Sequence, residues 1–206
     1  GPFPKVVFYH GGGWAIGSIE GYSNLCSAIA NNIPALVFVP GYRLAPEHPF
    51  PAAVEDCYAA LKYIEKYEDP LSSKSHGLTV MGDSAGGNLA AVMSLKSKRE
   101  AGPKISLQVL VYPATNLSRL GLRSYRIFSK GYDLDDDMIK KYRDLYLPRK
   151  KDRKDPYASP ALADDLDGMP ETIILTSEFD PLRDDGAEFS SILKKSGVKV
   201  DYVMYE

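Results

Sequence analysis

Residues that announce special chemistry are scarce in this sequence. Of 206 residues, two are cysteine, three histidine and one tryptophan. Two cysteines make no disulfide framework, and a chain of this length buries a core large enough to need neither disulfides nor a structural metal. Cys26 and Cys57 fall in stretches of helical pattern. They read as free, buried thiols of a reducing compartment, with a disulfide between them the lesser alternative, and the expected location is cytoplasmic. Charge of one sign is lacking too: 25 Lys and Arg face 27 Asp and Glu, a net charge of −2. No basic stripe is present to release phosphate counterions, which excludes a nucleic-acid partner. The one basic cluster, residues 149–154, is interrupted by Asp152 and reads as a solvated loop. No apolar run approaches the ~18 to 20 residues that span a bilayer, and the N-terminus lacks the layout of a signal peptide.

What the sequence does contain is alternation. Apolar runs with strand character at residues 6–9, 35–39, 78–81, 105–112, 172–176 and 198–205 alternate with helical patterns at 22–32, 52–67, 85–98 and 187–195. Strands apolar on both faces, separated by helices, predict an α/β fold around a mostly parallel sheet with helices on both faces. One break in rhythm stands out. Residues 117–160 hold helical character at 135–147 but no strand, although they lie between two strands, and a segment of that length is usually a functional insertion.

The chemistry concentrates at Gly82-Asp83-Ser84-Ala85-Gly86, which follows a strand and opens a helix. In such an elbow a tight turn holds the serine at the carboxyl edge of the sheet, and the glycines avoid a clash where strand and helix meet. The pentapeptide alone also suits an ordinary turn or helix cap. A second segment, His10-Gly11-Gly12-Gly13-Trp14, also follows a strand. Successive glycines let backbone N–H groups converge on one point, the arrangement that stabilises an oxyanion. A dinucleotide fingerprint does not fit, because Ile16 stands where the third glycine belongs and no acidic residue closes the next strand.

With those two motifs together, the chain resembles the hormone-sensitive-lipase-like (arylacetamide-deacetylase-like) esterases of the α/β-hydrolase superfamily. The resemblance extends to Tyr42-Arg43-Leu44-Ala45-Pro46-Glu47-His48-Pro49-Phe50-Pro51-Ala52, to Gly87-Asn88-Leu89-Ala90 after the elbow, to Asp155-Pro156-Tyr157-Ala158-Ser159-Pro160 and to Asp180-Pro181-Leu182-Arg183-Asp184, all in the family order. It implies Ser84 as nucleophile, Asp180 as triad acid, and the amides of Gly12, Gly13 and Ala85 as oxyanion donors, with His10 and Gly11 shaping the loop. Asp180 also follows a strand, so it too lies at the carboxyl edge, where a buried carboxylate orients an imidazole. Asp184 and Asp185 compete with it, but a place in the first turn of a helix accounts for them.

The triad histidine is the gap. His10, His48 and His76 all precede the serine, whereas the family's base follows the last strand, and the sequence stops about four residues short of it. Chain order alone does not dismiss the three, since other serine hydrolases place the histidine first. Either the chain is the central part of a longer esterase, truncated at both ends, or it is a member that binds without catalysing. The first is favoured, because the family's N-terminal cap segment and early strands are also missing. The expectation is therefore residues 1–206 as one incomplete hydrolase domain, with a partial helical cap at about 117–160. Its function would be hydrolysis of short- to medium-chain acyl or aryl esters, impaired in this chain for want of the base. A gibberellin-receptor-like binding protein, or an amidase or deacetylase, is the alternative.

The cap supplies an apolar lining in which Phe128 and Tyr132 are expected to meet the substrate, together with Trp14, although most such residues also pack the cap onto the core. The run Asp133, Asp135, Asp137 resembles the start of a calcium loop, but Met138 and Asp144 stand where a glycine and a glutamate belong. It reads instead as the acidic start of a helix. No metal and no cofactor are expected; the partner is a small-molecule ester. A homodimer is left open, since missing flanking strands expose sheet edges.

Overall fold

The computed structural model describes residues 3–71 and 77–206, so that Gly1, Pro2 and His76 lie outside the described residues. Its centre is a sheet of β1 (Lys5–Tyr9), β2 (Leu36–Phe38), β3 (Leu78–Asp83), β4 (Ile105–Val111), β5 (Glu171–Ser177) and β6 (Val200–Tyr205). The spatial order is β2-β1-β3-β4-β5-β6, and every neighbouring pair is parallel. The order reverses between β1 and β3. Right-handed crossovers on the two sides of that reversal put α1 (Ile19–Asn32), which leads to β2, on the opposite face from α3 (Ala85–Arg99), which leads to β4. The loops after β1 and β3 therefore part and leave a crevice at the carboxyl ends of the strands, the usual binding place in such sheets. Both motifs from the sequence fall there.

α3 is the best buried helix. Leu89, Val92, Met93 and Leu95 are fully enclosed, each stabilising the fold by roughly 1.5–3 kcal/mol, and the small residues Gly86, Gly87, Ala90 and Ala91 let it lie close to the sheet. α2 (Ala52–Lys66) packs against it and buries Val54, Cys57, Leu61 and Ile64, a spacing that puts them on one face. α1 starts where Ser18 accepts a hydrogen bond from the N–H of Gly21 at 3.2 Å. Cys26 and Cys57 are both buried and free.

Residues 117–160 carry α4 (Arg123–Ile127), α5 (Asp136–Tyr146) and a 3-10 turn at Lys150–Lys154. Asp135 caps α5 by accepting from the N–H of Met138 at 2.7 Å, so the acidic run starts a helix. The basic cluster expected as a solvated loop is instead that 3-10 turn. Its Asp152 is buried and paired with Arg149 at 2.7 Å, while Arg153 reaches Asp144 at 2.8 Å. α6 (Arg183–Lys195) begins four residues before the expected 187, because Asp184 and Asp185 form its first turn. Among the described residues, no helix is long and apolar enough to cross a membrane.

Candidate active site

Ser84 sits between β3 and α3 with φ +54° and ψ −115°, a conformation that L-residues rarely adopt and that costs on the order of 1–3 kcal/mol. The turn is held from outside: the N–H of Ser84 donates to the Val111 carbonyl at 2.8 Å, and its carbonyl accepts from Asn88 at 3.0 Å. A serine before a helix normally caps it with its hydroxyl. Ser84 makes no capping bond, so the strained backbone turns Oγ toward the crevice instead. The flanking glycines are steric necessities. A Cβ at Gly82 would lie 2.4 Å from the Gly86 carbonyl, and one at Gly86 would lie 2.0 Å from the Tyr9 carbonyl.

The glycine loop follows β1. Gly12, Gly13 and Trp14 all have positive φ, +108°, +59° and +57°, so three successive peptides turn away from strand geometry. Trp14 tolerates this because its ring stacks on Tyr146 at 4.5 Å, nearly parallel. His10 is buried behind the loop. Its Nδ1 lies 2.8 Å from the Gly11 carbonyl, and a carbonyl only accepts, so Nδ1 carries the proton. Burial, the main influence, lowers the His10 pKa, while the bond to the Gly11 carbonyl and the nearby Asp83 oppose the fall. Tyr42 stacks on that ring at 4.2 Å and donates to the His10 carbonyl at 2.7 Å. On the other side, the Gly11 N–H faces Asp83 Oδ1 at 2.9 Å and Tyr22 Oη at 3.0 Å, and Tyr22 donates to Asp83 Oδ2 at 2.8 Å.

Asp180 lies in the turn between β5 and α6. Its Oδ1 accepts from the Leu182 N–H at 2.8 Å; burial raises its pKa and that hydrogen bond opposes the rise. Gly12, Gly13, Trp14, Ser84 and Asp180 share one cavity of about 500 Å³, within the range of small-molecule sites. Ala85 adjoins Ser84 as the first, fully buried residue of α3. Six of the lining residues are aromatic: Trp14, Tyr112, Tyr125, Tyr132, Tyr142 and Phe179. Among the described residues no histidine lines the cavity.

Phe128, expected against the substrate, is not among the lining residues: it is 6% exposed and packs edge-on to Tyr132 at 5.3 Å and to Phe179 at 5.9 Å, both of which line the cavity. Tyr112 and Phe179 were not expected. Their positions just past the carboxyl ends of β4 and β5 were the available signal. Nothing in the spacing of Asp83 says that a carboxylate beside Ser84 reaches back to the glycine loop.

Asp184 and Asp185 do more than meet a helix dipole. Asp184 accepts from the Ser124 N–H at 2.8 Å, and Asp185, 2% exposed, accepts from the Tyr125 hydroxyl. Both tie α4, and with it the Tyr125 wall of the cavity, to α6. Burial drives the Asp185 pKa from 3.8 to about 7. Below pH ~4 the carboxyl is protonated folded or unfolded. As pH rises to 7 the unfolded form ionises first, so this group removes stability across that window, by up to about 3 kcal/mol between pH 5 and 8 at 1.4 kcal/mol per unit. Asp185→Asn keeps an acceptor for Tyr125 and cannot ionise. Its melting temperature is expected to fall less than the wild type's between pH 5 and pH 8; equal falls would show that another group titrates.

A strand-turn-helix elbow and a glycine loop at the reversal of a parallel sheet define an α/β hydrolase. Residues 6–206 match the family described as alpha/beta hydrolase fold, and the chain belongs to that family. Within it the chain falls with the hormone-sensitive-lipase-like esterases. It is 38% identical over 201 residues to carboxylesterase NlhH of Mycobacterium tuberculosis, covering 96% of this chain and 63% of that protein. It is 40% identical to the carboxylic ester hydrolase LipN of the same organism, covering 98% and 55%. The hyperthermophilic esterase of Pyrobaculum calidifontis superposes with a TM-score of 0.95 at 41% identity, over 99% of this chain and 67% of that one. The chain thus spans about three fifths of the length of the curated relatives it matches.

Proposed function

We propose that the protein is a serine carboxylesterase for short- to medium-chain acyl or aryl esters. The observation that carries this reading is the convergence of a strained serine, three glycine-loop residues and a half-buried aspartate on one aromatic-lined cavity. Ser84 Oγ attacks the ester carbonyl while a histidine takes its proton. The amides of Gly12, Gly13 and Ala85 bind the oxyanion, the alkoxide leaves with that proton, and water reverses the sequence to free the acid. Asp180 orients the histidine and stabilises the imidazolium. The proposed base is a histidine carried beyond β6. The Glu178 N–H donates to the Tyr205 carbonyl at 2.7 Å, so a segment continuing from that strand starts beside the turn of Asp180. His10 is unsuited to the role, since the Gly11 carbonyl and Tyr42 already hold it behind the loop.

Residues 117–160 act in this proposal as a cap, contributing Tyr125, Tyr132, Leu134, Ile139 and Tyr142 to the cavity wall. Asp133 and Asp180 line the cavity, and among the described residues no Lys or Arg does, which suits an uncharged acyl group. The test uses the chain continued through its triad histidine. It should hydrolyse p-nitrophenyl butyrate, and a fluorophosphonate should inactivate it by modifying the peptide that contains Ser84. Modification of a different residue, or none in an active preparation, would overturn the assignment.

A further inference from the structure

We propose that Asp83, the residue before the nucleophile, is a positioning residue: its carboxylate fixes the glycine loop so that the Gly12 and Gly13 amides aim at the carbonyl that Ser84 attacks. This rests on the reading of Ser84 as nucleophile. Glycine is soft in both backbone dihedrals, so a triple-glycine loop keeps a catalytic shape only where its peptide planes are held from outside. Two planes flank Gly11. The plane between His10 and Gly11 is held at its N–H by Asp83 Oδ1, 2.9 Å, and Tyr22 Oη, 3.0 Å, and at its carbonyl by the Tyr42 hydroxyl, 2.7 Å. The plane between Gly11 and Gly12 is held at its carbonyl by His10 Nδ1, 2.8 Å.

A trans peptide is planar, so fixing the Gly11 carbonyl fixes the Gly12 N–H in the opposite direction. With both planes set, φ and ψ of Gly11 are set, and the donors that follow are placed. Asp83 supplies the acceptor oxygens in this frame; burial raises its pKa, and the bonds it accepts from Tyr22 and Gly11 oppose that rise. Loop and carboxylate are fitted to each other: a Cβ on Gly11 would lie 2.4 Å from Asp83 Oδ2. Because Asp83 is bonded directly to Ser84, the frame also keeps the donors in register with the nucleophile. Tyr22 closes the ring from α1 by donating to Asp83 Oδ2 at 2.8 Å.

In the chain continued through its triad histidine, Asp83→Ala is expected to lower kcat about 10- to 100-fold, less than outright loss of an oxyanion donor, with KM changed less than threefold. Affinity for an alkyl boronic acid, which mimics the tetrahedral intermediate, should fall by the same factor. Asp83→Asn, which can still accept from Gly11 and donate to Tyr22, should recover most of kcat. Tyr22→Phe should lower kcat alone but add little to Asp83→Ala, since both remove the same clamp. Unchanged kcat and boronate affinity in Asp83→Ala, or additive losses in the double variant, would overturn the proposal. Hydrogen exchange reads the clamp without catalysis: the Gly11 amide should exchange at least ~10-fold faster in Asp83→Ala, as expected when a buried hydrogen bond opens. Unchanged exchange would sink the clamp even in an active enzyme, whereas an inactive wild type with a protected Gly11 amide would sink only the reading of Ser84.

Discussion

Replacing Ser84 by alanine is expected to cut turnover of p-nitrophenyl butyrate by about 10⁵ to 10⁶-fold in the chain carrying its triad histidine, the size of loss seen when a triad nucleophile is removed from subtilisin. Stability should hardly move. Ser84 makes no capping bond to α3, so its hydroxyl contributes nothing to the helix, and alanine is no worse suited than serine to a φ of +54°. The turn is held by main-chain bonds to Val111 and Asn88, which the substitution leaves in place. A residual rate above that in water should survive, because the glycine-loop amides and the cavity are untouched. A drop below tenfold, with the melting temperature unchanged, would show that Ser84 is not the nucleophile.

Ser84→Gly separates strain from chemistry. It should be as inactive as the alanine variant, yet more stable by about 0.5–1 kcal/mol or more, because glycine relieves the left-handed penalty. A glycine variant less stable than the alanine one would mean that the elbow is not strained.

The parts of this fold that alternation could reveal were visible in the sequence. Six apolar runs became six strands and the strand-elbow-helix context proved correct, because a fully buried parallel strand and a well-packed helix each impose a pattern along the chain itself. The limits lie where the partner is distant in sequence. Asp83 reads as a mere spacer between Gly82 and Ser84 until β1 and α1 deliver Gly11 and Tyr22 to it, 72 and 61 residues away. Phe128 and Tyr132 look interchangeable as apolar cap residues, yet Phe128 packs edge-on to Tyr132 and Phe179 and does not line the cavity, whereas Tyr132 does. Asp184 and Asp185 satisfied a local explanation, the helix dipole, which hid their tertiary bonds to Ser124 and Tyr125. In each case a sufficient local reason stood in for a contact that only the folded chain shows.

Gly86→Ala should be among the most damaging single-methyl changes in this protein, destabilising it by more than about 4 kcal/mol. The added Cβ would lie 2.0 Å from the Tyr9 carbonyl oxygen and 2.7 Å from both the Tyr9 carbonyl carbon and the His10 oxygen. All three are backbone atoms, so no rotamer change relieves the overlap; α3 must withdraw from β1. That withdrawal breaks two things at once. It opens the packing of the best buried helix, and it displaces Tyr9 and His10, which lead into the glycine loop. With a total stability of about 5–15 kcal/mol in a typical domain, the variant is expected to lose soluble yield at 37 °C, and any folded remainder to lose activity. Gly121→Ala is the matched comparison, since a Cβ there meets nothing within 4 Å and the change should stay within about 0.5 kcal/mol of wild type. Urea midpoints of the two variants decide the matter. A Gly86→Ala midpoint equal to that of Gly121→Ala would mean that strand and helix are free to move apart, and the close approach would then not be what holds the elbow and the loop in register.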